Sequence, residues 1–146
     1  MTLWRISRHR DLRGAGGLRA PGRWHHAGQP VVYLAQSPAA ALLEVCVHTS
    51  ANDVPPESTL LKIEGPDPKV SVITLDDLYE NWRSRLEVTR DLGTGWLQKK
   101  ASVLLQIPST IVPETRNFLF NPIHPDAKKF RIAGAFAYPF DAPLKK

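Results

Sequence analysis

The sequence predicts a mixed α+β fold in one compact domain, on three observations. A chain of 146 residues with 42% hydrophobic content suits a single core. Strand-like runs outnumber helical ones, and the helical stretches do not alternate with strands in the regular way that a doubly wound parallel sheet requires. The span 1–146 is therefore expected to be one domain, and it contains neither an internal repeat nor a low-complexity linker.

Trp4 to Ser7 reads as a short strand, followed by a loop punctuated by Gly14, Gly16, Gly17, Pro21 and Gly22, residues that favour irregular backbone. Val31 to Ala35 is short and rich in β-branched and aromatic residues, as a buried strand is. Ser37 and Pro38 then resemble an N-cap and first helical position, opening a helix to about His48. Thr59 to Ile63 and Val70 to Thr74 read as further strands, while the patterns over Asp76 to Arg85 and Thr89 to Lys100 predict shorter helical pieces. Val103 to Ile107 and Asn117 to Phe120 are strand candidates, and Lys129 to Ala133 with Ala135 to Phe140 are read as a final pair.

A formal charge of +5 and a pI near 9.6 point to an anionic partner. The positive field is concentrated early: Arg5, Arg8, Arg10, Arg13, Arg19 and Arg23 face only Asp11. No apolar run approaches the roughly 20 residues that cross a bilayer, and the arginine-rich start lacks the pattern of a signal peptide, so a cytoplasmic protein without a membrane span is expected. The single cysteine, Cys46, forms no internal disulfide, and its apolar surroundings predict an inert thiol. No metal site is expected: Cys46 with His48 is too sparse, and the adjacent His25 and His26 point apart.

Across residues 24 to 52 the only formally charged side chain is Glu44, set in the helix Ala39-Ala40-Ala41-Leu42-Leu43-Glu44-Val45-Cys46-Val47. A helix apolar on every face is predicted to be buried. Of the neighbours one turn away, Ala40, Ala41, Val47 and His48, only the histidine can accompany the carboxylate. A buried carboxylate needs a partner or a polar pocket. It pairs internally with Arg23 or Arg5, or it faces a ligand in the space that three alanines leave beside the helix. Ser109, at the end of the Val103 to Ile107 strand in the charge-free stretch 101–113, is placed either for ligand contact or for capping a turn.

The segments Leu3-Trp4-Arg5-Ile6, Gly22-Arg23-Trp24, Gly28, Val31-Val32-Tyr33-Leu34, Ser37-Pro38 and Ala41 to Glu44 closely resemble the RES domain family. The later Ile107-Pro108-Ser109, Asn117 and Asn121-Pro122-Ile123-His124-Pro125-Asp126 resemble its second motif. The sequence departs from the family at His25-His26, where an asparagine is expected after the tryptophan. The resemblance implies a fold similar to ADP-ribosyltransferases, with central β-sheets and short flanking helices. It implies a toxin paired with an Xre-type helix-turn-helix antitoxin, as a homodimer or in a hetero-oligomer with that antitoxin.

The resemblance also implies a substrate, NAD, with no separate cofactor. Cleavage of the nicotinamide–ribose bond builds positive charge on the sugar, which Glu44 is expected to stabilise. Tyr33 would stack on the nicotinamide ring. Arg23, with Arg5 as a second candidate, would clamp the pyrophosphate. Ser109 would bond the carboxamide or a ribose hydroxyl, and Asn121 would join the substrate-binding set. The acceptor, whether water, phosphate or a protein side chain, stays open, so ADP-ribosyl transfer onto a protein is an alternative. Two other classes remain: an RNA-targeting toxin using His9, His25, His26, His48 or His124 as acid and base, and a non-enzymatic partner-binding domain.

Overall fold

The computed structural model describes residues 1–48 and 58–138; the side chains of Cys46 and His48, with the expectations attached to them, lie outside the described residues. The chain forms a mixed α/β domain in the order β1 (Thr2–Ser7), α1 (Gly16–Arg19), β2 (Val32–Ala35), α2 (Pro38–His48), β3 (Thr59–Glu64), β4 (Val70–Val72), α3 (Leu86–Lys99), β5 (Leu104–Pro108), β6 (Arg116–Phe120) and β7 (Arg131–Phe136). The strands make one sheet in the order β4-β5-β6-β2-β1-β3-β7, antiparallel except for β4 beside β5.

One irregularity in this sheet positions the site. β1 and β2 share a single register pair, Trp4 with Ala35, whereas β1 pairs with β3 along its whole length from Thr2 to Ser7 and β2 pairs with β6 at all four of its residues. The expected central sheets are thus two half-sheets, β4-β5-β6-β2 and β1-β3-β7, joined at one point and parted along the rest of the seam.

Strand alternation divides the core. Leu3, Val32, Leu34, Leu61, Ile63, Phe118 and Phe120 fill one cluster. Residues on the opposite face of β5 and β6, Leu105, Ile107 and Leu119, pack with Trp24, Trp82, Trp96 and Leu97 beneath α3. Ala35 receives Ala40 and Ala41 of α2, with Trp4 and Ile6 alongside. No helix among the described residues is long and apolar enough to cross a membrane.

α2 begins as its sequence predicts: Pro38 is the first helical residue and Ser37 Oγ accepts the Ala40 amide at 3.1 Å, filling one of the donors that a helix start leaves unsatisfied. Its burial differs from expectation. Ala40 and Ala41 are buried, but Leu42, Leu43, Glu44 and Val45 are half-buried, because the helix seats through its small residues on one side only.

Two further differences have local causes. Asp76 to Arg85 forms two single 3-10 turns, Leu75–Asp77 and Trp82–Ser84, and the regular helix starts three residues before the expected Thr89, at Leu86. Over the described residues the expected final strand pair is one continuous strand, β7, on the edge beside β3; the last two residues of the expected Ala135 to Phe140 strand lie outside the described residues. A register shift between Lys62 and Ile63 leaves Ala133 without a partner, between Ile132 opposite Ile63 and Gly134 opposite Lys62, so the glycine sits beside a bulge rather than in a turn.

Candidate active site

A cavity of about 740 Å³ opens at the parted seam, with Trp4, Arg5 and Ile6 from β1 and Tyr33, Leu34 and Ala35 from β2 in its walls. α2 contributes Glu44, the glycine-rich loop Arg23, and α3 Leu86 and Arg90. Its size lies within the range of small-molecule sites, roughly 300–1,000 Å³.

Glu44 is held from behind. Its Oε1 accepts the Ser109 hydroxyl at 2.9 Å and the Asn117 side-chain amide at 2.7 Å. Ser109 Oγ itself accepts the amides of Ile111 (3.2 Å) and Val112 (3.4 Å). Its one proton is therefore committed to the carboxylate. Asn117 stands on β6 opposite Ile107 of β5 and Ala35 of β2. With its amide nitrogen on Glu44, its Oδ1 must point elsewhere, and that oxygen is buried without a partner among the described residues. The internal ion pair weighed for Glu44 is not how these arginines spend their donors. Arg5 Nη1 donates to the Asp11 carbonyl at 3.3 Å, and Arg23 Nη1 donates to the Arg83 carbonyl.

The loop carrying Arg23 is fixed from two sides. From β2, Tyr33 Oη accepts the Trp24 amide at 3.0 Å and lies 2.8 Å from His25 Nδ1. That ring nitrogen also accepts the Gly22 amide at 3.2 Å, while Nε2 lies 3.1 Å from the Ala20 carbonyl. These partners define a neutral His25 with its proton on Nε2, accepting the Tyr33 hydroxyl proton on Nδ1. Gly22 has to be glycine here, because a Cβ would overlap the Tyr33 hydroxyl.

From the other side, α3 grips the same backbone. Thr89 Oγ1 donates to the Arg23 carbonyl at 2.7 Å, Arg90 Nε to the Gly22 carbonyl at 2.7 Å, and Thr94 Oγ1 accepts the His26 amide at 2.9 Å. The His26 ring lies 2.6 Å from Asp91 Oδ1. The two histidines that break the expected pattern thus both serve as loop anchors.

Burial pushes the Tyr33 phenol up to about 12, against smaller downward pulls from the Trp24 amide, Arg90 and Arg23. Burial likewise lowers His25 below its ordinary 6.5, outweighing the carbonyl of Ala20, which favours the charged ring. The folded protein therefore keeps His25 neutral where the unfolded chain protonates it. Stability from this residue is complete above about pH 6.5 and declines as the pH falls through that value towards the lower folded one. Thermal melts between pH 8 and 5 should show the loss, and the His25→Gln variant should show less of it. Identical pH profiles for the two proteins would refute the assignment.

Of the residues expected from sequence, the structure brings Arg5, Arg23, Tyr33 and Glu44 to one cavity. Ser109 is 1% exposed and stands behind Glu44, so it orients the carboxylate rather than meeting a ligand. Asn121 is 0% exposed and lies apart. Its Nδ2 donates to the Leu97 carbonyl at 3.1 Å and its Oδ1 accepts the Ile123 amide at 3.2 Å, tying the end of β6 to α3. Its expected place in the substrate-binding set is corrected accordingly. The sequence gives no role to Arg90 or Thr89, places Asn117 only within a family motif, and offers His25 only as an acid or base in the RNA-targeting reading. The run Thr89-Arg90 and Gly93-Thr94, repeating at helical spacing, was the available sign that one face of α3 meets another backbone closely.

The model of the RES domain matches residues 2–141. The chain is 50% identical over 134 residues to Toxin Res of Pseudomonas putida, covering 90% of this chain and 92% of that protein. It is 38% identical over 138 residues to the Prs ADP-ribosylating toxin of a Sphingobium species, covering 87% and 86%. Among solved structures, the crystal structure of the M. tuberculosis MbcT-MbcA toxin-antitoxin complex contains a chain of similar fold, with a TM-score of 0.78 at 20% identity over 99% of this chain and 86% of that one. The family match covers the span that holds every residue of the seam cavity, and the relatives align over most of their length: this chain belongs to the RES domain family.

Proposed function

We propose that this protein is the toxin of a toxin–antitoxin pair and that it consumes NAD by breaking the nicotinamide–ribose bond. The observation that carries the reading is Glu44, a carboxylate fixed by Ser109 and Asn117 in the wall of a ligand-sized cavity that also holds three arginines. When the glycosidic C–N bond breaks, its electron pair leaves with the nicotinamide nitrogen and neutralises the pyridinium. The ribose carbon is left cationic. A preorganised carboxylate in a water-poor site stabilises that charge more than it stabilises the neutral sugar, which is the condition for rate enhancement. The Tyr33 ring, with its hydroxyl committed to the loop, presents a rigid face on which nicotinamide can stack. Arg23 reaches the phosphates from the glycine-rich loop.

Names of relatives support the toxin reading, and one of them supports a second outcome for the same cation. The Sphingobium relative is called an ADP-ribosylating toxin, so a protein side chain is an acceptor to test beside water and phosphate. The partner in this reading is an Xre-type antitoxin, and the site of action is the cytoplasm, where NAD is available. Purified protein incubated with labelled NAD, with and without phosphate and with total cell protein, separates the acceptors by product mass. Free ADP-ribose, its phosphorylated form, or labelled protein each names one reaction, and undiminished NAD in all three mixtures rejects the proposal.

A further inference from the structure

Arg90 is the one cavity cation whose place in the sequence gave it no role. Its Nε is bound to the Gly22 carbonyl, and among the described residues no carboxylate or carbonyl takes up its two terminal amino groups. It is half-buried and lines the cavity together with Leu86, one helical turn earlier. A guanidinium pinned at Nε and partly removed from water presents a rigid pair of donors that lacks an acceptor.

Its surroundings identify the kind of acceptor. The charged side chains lining the cavity are three guanidiniums, Arg5, Arg23 and Arg90, against the single carboxylate Glu44. Arg23 and Arg90 issue from one knot of backbone, since Thr89 binds the Arg23 carbonyl and Arg90 binds that of Gly22. Arg5 approaches from β1, outside that knot; like Arg23 with the Arg83 carbonyl, it has one terminal donor on a backbone carbonyl, that of Asp11. We infer that Arg90, rather than Arg5, is the partner of Arg23 in a two-arginine site for the diphosphate group of a nucleotide. Planar forks on adjacent supports match the non-bridging oxygens of two linked phosphates. The nucleotide in question rests on the NAD reading above; the anion chemistry does not.

Gln offers a clean test, because its side-chain nitrogen occupies the position of Arg Nε and can keep the Gly22 bond while the charge and the terminal donors are lost. Calorimetry with ADP, inorganic diphosphate and adenosine on wild type, Arg90→Gln and Arg90→Lys measures the effect. Arg90→Gln should weaken ADP and diphosphate by about ten- to a hundredfold, the size expected for charged hydrogen bonds, and leave adenosine unchanged. Arg90→Lys should fall between, and in turnover KM should rise with little change in kcat. ADP affinity equal to wild type in Arg90→Gln, or no diphosphate binding by wild type, overturns the inference. Arg90-dependent diphosphate binding by a protein that leaves NAD intact would uphold the anion site and reject NAD cleavage, so the two failures are distinguishable.

Discussion

Glu44→Gln protein should fold as the wild type does and lose NAD consumption by about a hundredfold or more, the usual effect of removing one preorganised transition-state stabiliser. The substitution isolates charge from geometry. Ser109 and Asn117 both donate to Oε1, and the glutamine oxygen can accept the same two bonds, so its rotamer and the packing of α2 stay supported. What disappears is the negative charge that answers the developing cation. Assay of NAD by chromatography, beside a thermal melt, measures both halves of the expectation. Wild-type turnover in a normally folded variant would remove Glu44 from the chemistry. Lost turnover with a collapsed melt would point to the variant's fold, and Glu44→Asp, which keeps the charge on a shorter arm, would then be expected to retain part of the activity.

Glu44 was legible because it breaks a rule. A lone charge in a long uncharged stretch conflicts with the local pattern, and such conflicts concentrate at functional sites. Arg23 and Tyr33 were legible through family motifs, and β2 followed by α2 through a cap that is local in sequence. The seam was not legible, because it depends on which strands neighbour each other: β2 sits between β1 and β6, and nothing in the residues of β2 announces that it will pair fully with one and at a single point with the other.

Asn121 differs from its expected role, and Ser109 takes the turn-capping place that its sequence left open beside ligand contact, for a related reason. Both are polar residues at strand ends, where ligand contact and internal hydrogen bonding look the same in a sequence, and burial decides between them. Arg90 was missed because a charged residue in an amphipathic helix is ordinarily solvated. Only the approach of α3 to the arginine loop makes it part of the site.

That approach yields the last expected result. A Cβ at Gly93 would overlap the backbone carbonyl oxygen of Trp24, which cannot swing aside as a side chain can. Alanine is the better helix former by about 1 kcal/mol, so α3 taken alone gains from Gly93→Ala. The protein should lose, by about 1–3 kcal/mol or more as α3 is forced off the loop, which lowers Tm by roughly 2–4 °C per kcal/mol for a domain near this size. Gly95 is the internal control: it lies in the same helix with nothing within 4 Å of a built Cβ, and Gly95→Ala should be neutral or stabilising. The displacement also carries a functional signature. Thr89 and Arg90 sit one turn before Gly93 and hold the Arg23 and Gly22 carbonyls, so a helix pushed outward loosens the loop that presents Arg23. Gly93→Ala should therefore raise KM for NAD at temperatures well below its Tm, while Gly95→Ala leaves it unchanged. Equal melts for the two alanine variants would mean that α3 does not press on Trp24, and the loop would have to owe its shape to Tyr33 and His25 alone.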